Sequence, residues 1–160
     1  MVKIILIFRL IFFYIIFNFS VSYSQEMIIG KSKVIDGDTI NINNNKIRLH
    51  GIDAPERNQN CFKNNTKWMC GVESTDFLKN LIYDKIVHCE INGIDKYKRF
   101  IGVCWLKELN LNAFIVKNGW AIAYSYYSKD YIKEEKFAKE NKLGIWVGKF
   151  EEPYIFRKNQ

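Results

Sequence analysis

Apolar and polar residues alternate along three short runs that follow one another after residue 25. The runs cover residues 28–35, 39–43 and 47–50, and three consecutive asparagines separate the second run from the third. An alternation with a period of two places every second side chain on the same face of a strand. The pattern therefore predicts a three-stranded meander with one apolar face.

The rest of the chain combines helical and strand-like patterns. Residues 71–83 carry an apolar stripe at helical spacing, formed by Phe77, Leu78, Leu81 and Ile82. Residues 85–91 and 100–106 predict a hairpin, and further helices are expected at 111–117 and 130–142. Five short strands with about three helices predict an α+β domain built on a five-stranded oligonucleotide-binding (OB) β-barrel.

The first 24 residues have the pattern of a secretory signal peptide. Lys3 and Arg9 precede an apolar run at 10–17, and the small residues Ser22 and Ser24 precede the cleavage expected near Ser24–Gln25. The alternative is an uncleaved membrane anchor at 4–23, because about 20 apolar residues can span a bilayer. The expected organisation is a signal peptide at 1–24, one domain at 25–152 and a frayed tail at 153–160. The protein is then exported to the periplasm or secreted.

The domain beyond the signal peptide is basic. Once Lys3 and Arg9 are removed, 22 basic and 17 acidic residues remain, a net charge of +5. Clustered lysine and arginine side chains attract phosphate groups and speed the encounter with polyanions. A nucleic acid is therefore a compatible partner, although basic charge alone does not specify one.

The cysteine pattern of an exported chain indicates two disulfides. All the cysteines lie beyond the signal peptide, at Cys61, Cys70, Cys89 and Cys104. An even number allows three connectivities. Folding the predicted hairpin about Tyr97 brings Cys89 opposite Cys104, which leaves Cys61 to close a short loop with Cys70. A zinc site is the rival interpretation, but the chain has no CxxC motif and only two histidines.

Three segments combine charged residues with turn residues at the predicted ends of strands. They are Asp36-Gly37-Asp38-Thr39, the stretch 48–56, and Asp95-Lys96-Tyr97-Lys98-Arg99. Two neighbouring carboxylates repel each other unless a cation or a basic group lies between them. Hard oxygen ligands of this type suit Ca²⁺ or Mg²⁺. Each segment alone is also typical of a solvated turn or a surface salt bridge.

Together these segments resemble the thermonuclease (staphylococcal nuclease-like) family. The resemblance rests on four motifs in matching order: Val34-Ile35-Asp36-Gly37-Asp38-Thr39, Arg48-Leu49 with Asp53-Ala54-Pro55-Glu56, Asp95-Lys96-Tyr97-Lys98-Arg99, and Leu143-Gly144-Ile145-Trp146. Linked motifs that cover nearly the whole domain are far more specific than any one of them.

The resemblance implies an OB barrel that binds one Ca²⁺ ion and hydrolyses phosphodiester bonds. The family's metal ligands match Asp38, Asp53 and the carbonyl of Ala54, and its catalytic residues match Arg48, Glu56 and Arg99. Charge builds on the phosphoryl oxygens during attack by water, so preplaced cations lower the barrier. Planar guanidinium groups add paired hydrogen bonds, and the carboxylate of Glu56 suits a general base.

The resemblance also implies DNA and RNA substrates, cut with little sequence preference at the 5′ P–O bond to leave 3′-phosphates. The residues that match nucleotide contacts are Lys96, Tyr97, Tyr124 and Tyr126. Tyr127 and Tyr131 are expected to be structural. We expect a monomer without an obligate protein partner, and contact with a membrane only if the N-terminal segment stays uncleaved.

Two departures from the family pattern stand out. Lys98 occupies a position where the family often has glycine, so it could strain the turn and displace Arg99 or add a phosphate contact. The loop from Arg57 to Cys70 carries cysteines, unlike the best-known members.

Two other classes of function remain as alternatives. The first is a non-catalytic OB-fold module that binds nucleic acid. Such modules usually lose an arginine or the glutamate, whereas this chain keeps Arg48, Glu56 and Arg99. The second is a disulfide-stabilised scaffold for a protein partner.

Overall fold

The computed structural model describes residues 26–160, so the segment assigned to a signal peptide, 1–24, lies outside the described residues. The strands are β1 (Met27–Asp36), β2 (Thr39–Ile42), β3 (Asn45–Leu49), β4 (Ile52–Asp53), β5 (Cys61–Lys63), β6 (Thr66–Trp68), β7 (Ile86–Ile94), β8 (Phe100–Leu106), β9 (Leu109–Asn110) and β10 (Ile122–Ala123). The helices are α1 (Cys70–Ile82), α2 (Leu111–Lys117), α3 (Ile132–Glu140) and α4 (Pro153–Lys158), with a 3₁₀ helix at Gly144–Val147. Within 26–160, no helix has both the length and the apolar character needed to cross a membrane.

Five strands close into a barrel. The main sheet has the order β3-β2-β1-β7-β8-β9, and β3 also pairs with β8 in parallel, which joins the two sides of the sheet. The remaining pairings that form the barrel are antiparallel, as the meander and the hairpin predict. The α+β class and the five-stranded OB-like barrel are therefore confirmed, with four α-helices where about three were expected.

The alternating runs supply the interior of the barrel. Ile40 and Ile42 of β2 and Ile47 and Leu49 of β3 have at most 1% of their surface exposed. Burying each such side chain stabilises the fold by about 1.5–3 kcal/mol relative to leaving it in water. Leucine and isoleucine side chains of α1 and α2 close this core, namely Leu78, Ile82, Leu111 and Ile115.

Both predicted disulfides are present. β7 and β8 place Cys89 directly opposite Cys104, and the two are bonded. Cys61 of β5 is bonded to Cys70, the first residue of α1. This second bond fixes the short β5–β6 hairpin against the beginning of α1, and therefore restrains the loop that follows β4.

The beginning of α1 packs very closely against the loop after β4. A methyl group added to Gly71 would lie 1.7 Å from the carbonyl oxygen of Glu56. The absence of a side chain at position 71 lets the helix and the loop approach each other. The helix predicted for 71–83 thus has a glycine in its first turn because the loop packed against it leaves no room for a side chain.

The end of the chain differs from its prediction. Residues 153–160 were expected to be a frayed tail, but Pro153–Lys158 forms helix α4. Pro153 is buried at the first turn, where its fixed φ angle favours helix initiation. Side-chain bonds from the distant residues Gln59, Asp53 and Glu56 hold this segment, and a local pattern cannot reveal them.

We predict that Gly71→Ala lowers the free energy of unfolding. Alanine favours a helix by about 1 kcal/mol, but the overlap with the Glu56 carbonyl forces the backbone apart, so we expect a net loss of about 1–3 kcal/mol. Gly93→Ala is the matched control, since an added methyl group has no atom within 4 Å there. Urea unfolding followed by circular dichroism measures both variants, and equal stabilities would contradict the close approach.

Candidate active site

The turn between β1 and β2 buries a carboxylate. Asp38 is 4% exposed, and its Oδ2 accepts a hydrogen bond of 2.7 Å from the backbone nitrogen of Ala54. Gly37 permits this arrangement, because a methyl group there would lie 2.2 Å from Oγ of Ser74. The turn of Asp36-Gly37-Asp38-Thr39 is thus packed against the chain that follows β4 rather than solvated.

Strand β4 buries a second carboxylate. Asp53 is fully buried, and β4 pairs with β10 so that Asp53 lies opposite Ile122. Oδ1 of Asp53 accepts a hydrogen bond of 2.7 Å from Nη2 of Arg48. A carboxylate without water must be paired and hydrogen-bonded, so the position of Asp53 depends on its basic partners.

Arg48 connects the two buried carboxylates. It lies on β3 between the core residues Ile47 and Leu49, and its side chain is 15% exposed. Its guanidinium group forms ion pairs with both Asp38 and Asp53. Burial lowers the pKa of Arg48, the charge of Asp53 opposes this, and the charge of Arg99 adds to the lowering. Arginine side chains remain charged in proteins. The effect of Arg99 on the pKa of Arg48 therefore means that a second positive guanidinium group lies near this site.

That second guanidinium group belongs to Arg99, at the base of the β7–β8 turn. Nε of Arg99 donates to Oδ2 of Asp95 at 2.8 Å, and its backbone nitrogen donates to Oδ1 at 3.0 Å. Burial alone would raise the pKa of Asp95, but the hydrogen bonds from Arg99 and Tyr97 lower it. Lys98 adopts a left-handed φ of 62° and is exposed, and Arg99 keeps its bonds to Asp95. The lysine in place of glycine therefore leaves Arg99 paired.

A buried glutamine fixes the backbone of Glu56. Oε1 of Gln59 accepts from the backbone nitrogen of Glu56 at 3.2 Å, and the backbone nitrogen of Gln59 donates to the Glu56 carbonyl at 2.7 Å. Nε2 of Gln59 donates to the carbonyl of Glu151 at 2.7 Å. Gln59 is fully buried, whereas the Glu56 side chain is 30% exposed. The glutamate can therefore meet solvent from an anchored backbone.

An arginine outside all of the sequence motifs completes the cluster. Nη1 of Arg157, on α4, lies 2.9 Å from Oδ1 of Asp53 and 2.9 Å from Oε1 of Glu56. Its Nη2 donates to Oδ2 of Asp53 at 3.2 Å. Burial lowers the pKa of Arg157, but the bonds and charges of Asp53 and Glu56 outweigh burial and raise it. One guanidinium group therefore bridges the two carboxylates.

Tyrosine rings extend from this cluster toward solvent. Tyr124 follows β10, and burial together with the charge of Asp53 raises its pKa. The ring of Tyr124 lies 6.4 Å from that of Tyr126 and 5.0 Å from that of Tyr127. Tyr126 is 82% exposed and Tyr127 is 69% exposed, whereas Tyr131 is buried. Tyr131 is buried, as a structural residue would be, whereas Tyr127, for which the same role is expected, packs its ring on other tyrosines at the surface.

Lys96 and Tyr97 lie at the tip of the β7–β8 hairpin. The ring of Tyr97 is exposed, with Nζ of Lys96 at 5.0 Å and the guanidinium carbon of Arg99 at 5.5 Å from its centre. Cations over an aromatic face are attracted by its electron density. The hairpin tip thus presents two basic groups around one aromatic ring on the Arg99 side of the site.

The structure unites residues from separate parts of the sequence. Asp38, Arg48, Asp53 and Ala54 are linked by direct bonds, Glu56 joins them through Arg157, and Arg99 acts on Arg48 through its charge. Sequence reasoning missed Gln59 and Arg157. Gln59 gave no local signal, and Pro153, which favours a helix beginning, was the one local clue to α4.

The fold and the site together place the protein in the class of OB-like β-barrels, here closed by five strands and carrying paired acidic and basic side chains. The family model described as "Staphylococcal nuclease homologue" matches residues 46–148. This range covers more than half of the chain and includes Arg48, Asp53, Glu56 and Arg99. The chain belongs to the staphylococcal nuclease homologue family, which confirms the resemblance.

The chain is also similar to named relatives, two of which carry nuclease names. The chain is 35% identical over 127 residues to the "Succinoglycan biosynthesis protein ExoI" of Rhizobium meliloti (strain 1021), covering 77% of this chain and 66% of that protein. It is 34% identical over 122 residues to an "Uncharacterized endonuclease" of Haemophilus influenzae, covering 72% of this chain and 64% of that protein. It is 30% identical over 144 residues to the "Micrococcal nuclease" of Shigella flexneri, covering 79% and 78%. The chain thus spans slightly less than two thirds of the first two relatives.

We predict that Gln59→Leu lowers the free energy of unfolding by about 1–3 kcal/mol, because leucine fills a similar volume but leaves the Glu151 carbonyl without its donor. Asn58→Leu changes an exposed neighbour and is expected to stay within about 0.5 kcal/mol of the parent protein. Thermal unfolding by calorimetry compares the three proteins. If both variants unfold with the parent, the role assigned to Gln59 is wrong.

Proposed function

We propose that the protein is a calcium-dependent nuclease that hydrolyses phosphodiester bonds in DNA and RNA with little sequence preference. The observation that carries the proposal is the convergence of Asp38, Asp53 and Arg48 at one end of the barrel, with Glu56 bridged to Asp53 by Arg157. Membership of the nuclease family and the names of two relatives support the same activity.

The donor set fits one hard cation. Among residues 26–160, no three His, Cys, Asp or Glu side chains are grouped to hold a metal ion. The proposed site requires only the carboxylates of Asp38 and Asp53 with the carbonyl of Ala54, and water or phosphate oxygens complete the coordination that Ca²⁺ prefers. The family is generally calcium-dependent. The ion would polarise the phosphate and hold the attacking water.

Two arginines are positioned to bind the scissile phosphate. Arg48 is held by Asp53 and Asp38 inside the site, and Arg99 is held by Asp95 at its edge. Held guanidinium groups need little reorganisation when negative charge develops on the phosphoryl oxygens. Arg48 and Arg99 would therefore stabilise the transition state from two directions.

Glu56 is the proposed general base. Its carboxylate is partly exposed, its backbone is anchored by Gln59, and it borders an open depression of about 500 Å³. The depression is also lined by Ile35, Asp36, Arg57, Asn58, Met69 and Val72. This lining includes neither the proposed metal ligands nor Arg48 or Arg99, so the depression only gives solvent access to Glu56. A water molecule beside Glu56 would lose its proton to the carboxylate as its oxygen attacks phosphorus. The bond from phosphorus to the 5′ oxygen then breaks, and the leaving oxygen takes up a proton from solvent, which leaves a 3′-phosphate and a 5′-hydroxyl end.

The substrate contacts proposed are Lys96, Tyr97, Tyr124 and Tyr126. Tyr97 and Tyr126 expose most of their rings, and every nucleobase has a face that can stack on such a ring. Lys96 can reach a phosphate from the same hairpin that carries Arg99. Stacking and backbone charge do not distinguish between bases, which agrees with low sequence preference.

The alternative class, a non-catalytic binding barrel, would require none of the catalytic groups. All of them are present, and both carboxylates of the proposed metal site, Asp38 and Asp53, are buried, which a surface for binding alone does not need. Two disulfides agree with export, because such bonds persist in oxidising compartments. We therefore propose an exported, monomeric enzyme, periplasmic or secreted, without an obligate protein partner.

The decisive assay incubates residues 25–160 with single-stranded DNA or RNA, in Ca²⁺ or in a chelator. We expect degradation only with Ca²⁺, and products that end in 3′-phosphates. Glu56→Gln should reduce the rate by about 10²–10⁴-fold, the usual contribution of a general base. Arg99→Ala should reduce it by about 10²–10³-fold, as for other transition-state donors.

Glu108→Gln is the matched control for the glutamate, since Glu108 is exposed in the β8–β9 turn and is expected to leave the rate unchanged. Binding of DNA without cleavage by the parent protein would favour the non-catalytic barrel. Equal rates in all variants would overturn the assignment of Glu56 and Arg99.

A further inference from the structure

The C-terminal helix brings a positive charge into the carboxylate cluster. The Arg157 guanidinium makes three hydrogen bonds there, at 2.9 Å to Asp53 Oδ1, 2.9 Å to Glu56 Oε1 and 3.2 Å to Asp53 Oδ2. Asp53 is fully buried, and Arg157 covers its outer side with a side chain that is 36% exposed. The contact joins residues about a hundred positions apart, and no sequence motif predicts it.

These bonds occupy the oxygens that a divalent ion would need. Arg157 and Arg48 both donate to Oδ1 of Asp53, and Arg157 also holds Oδ2. Arg48 also pairs with Asp38. An ion that binds Asp53 through Oδ1 must therefore exchange with a guanidinium group, and an ion that binds through Oδ2 would lie beside the positive charge of Arg157.

We propose that Arg157 is a built-in counter-cation, which occupies the ion's side of Asp53 in the ion-free protein and is displaced when a divalent cation binds. This inference rests on the proposed function, because it concerns the same metal site. Arg157 would raise the cation concentration that the protein needs. When no ion is bound, Arg157 would also supply part of the positive charge that the buried Asp53 carboxylate needs.

Arg157 is better suited to leave than Arg48. Arg48 lies on a barrel strand, is only 15% exposed, and also donates to the carbonyl of Ile52 at 3.3 Å. Arg157 lies in the last turn of a six-residue helix, with more than twice the exposure of Arg48. Moving its side chain into solvent therefore disturbs fewer packed atoms.

The helix itself can stay in place when the side chain leaves. Gln59 bonds to the carbonyl of Glu151 at 2.7 Å, just before α4, and Pro153 is buried. The ring of Tyr154 stacks on that of Tyr124 at 6.3 Å. None of these contacts uses the Arg157 guanidinium, so the displacement requires a change of side-chain conformation alone.

The test measures Ca²⁺ binding by isothermal titration calorimetry, without nucleic acid, for the parent protein and Arg157→Gln. Removing a competing cation should lower the Kd for Ca²⁺ by roughly tenfold, which corresponds to about 1.4 kcal/mol. Thermal unfolding gives a second readout. Arg157→Gln should be less stable than the parent protein without Ca²⁺ and should gain more stability when Ca²⁺ is added, because tighter ligands stabilise more at equal concentration.

Lys158→Gln is the matched control, because it removes one positive charge from the same helix turn without touching the carboxylates, and we expect its Kd to match that of the parent. Arg157→Lys keeps the charge but loses the paired hydrogen bonds, so an intermediate Kd is expected, and it replaces Arg157→Gln if that variant does not fold. Equal or weaker Ca²⁺ binding by both Arg157 variants would overturn the counter-cation inference alone. Absence of Ca²⁺ binding in every protein would overturn the proposed metal site as well.

Discussion

The buried carboxylate of Asp53 is the constraint on which the functional end of the molecule depends. A fully buried negative charge is tolerated only with partners that neutralise it and fill its hydrogen-bonding capacity. Arg48 reaches it from β3 and Arg157 reaches it from α4, so both the barrel and the chain terminus are drawn to one group. Breaking either pair would leave the Asp53 carboxylate without part of its counter-charge.

The fold converts this local requirement into a fixed arrangement of segments. Because β3 pairs with β8, Arg48 lies beside β8, the strand that begins directly after Arg99. The buried Asn112 of α2 strengthens the same junction, since its amide donates to the carbonyls of His50 at 2.9 Å and Gly102 at 3.3 Å. The loop after β4 is restrained in turn by the Cys61–Cys70 bond and by Gln59. The charged groups are therefore held in place by contacts within the barrel and the loop.

The same pairing gives each of these carboxylates a counter-charge. Neighbouring carboxylates repel one another unless a basic group lies between them, and Arg48 lies between Asp38 and Asp53 while Arg157 lies between Asp53 and Glu56. The tyrosine surface of Tyr124, Tyr126, Tyr127 and Tyr154 lies beside these groups and joins the charged cluster to the solvent-exposed face.

The alternating positions around Ile40 and Ile47 predicted the meander. An alternation of apolar and polar residues buries one face of the segment only when the segment is a β-strand. The hairpin register followed from the same pattern, and it placed Cys89 opposite Cys104 correctly. The motifs that contain Asp38, Arg48, Asp53 and Glu56 were visible because turn glycines, prolines and charges at strand ends are local features. Boundaries were less accurate: β7 continues to Ile94 rather than ending at 91, and α3 covers Ile132–Glu140 within the expected 130–142.

The sequence by itself determined the five barrel strands, the main helices, the disulfide pairs and the charged motifs, since neighbouring residues encode each of them. It did not predict the short strands β4, β5, β6, β9 and β10. Only the tertiary structure decided that Gln59 anchors Glu56, that Tyr127 stays at the surface, and that the last residues form a helix. It alone brought Arg157 to Asp53, across a separation of 104 residues. Such contacts depend on which surfaces meet after the barrel closes, and no periodicity within either segment carries that information.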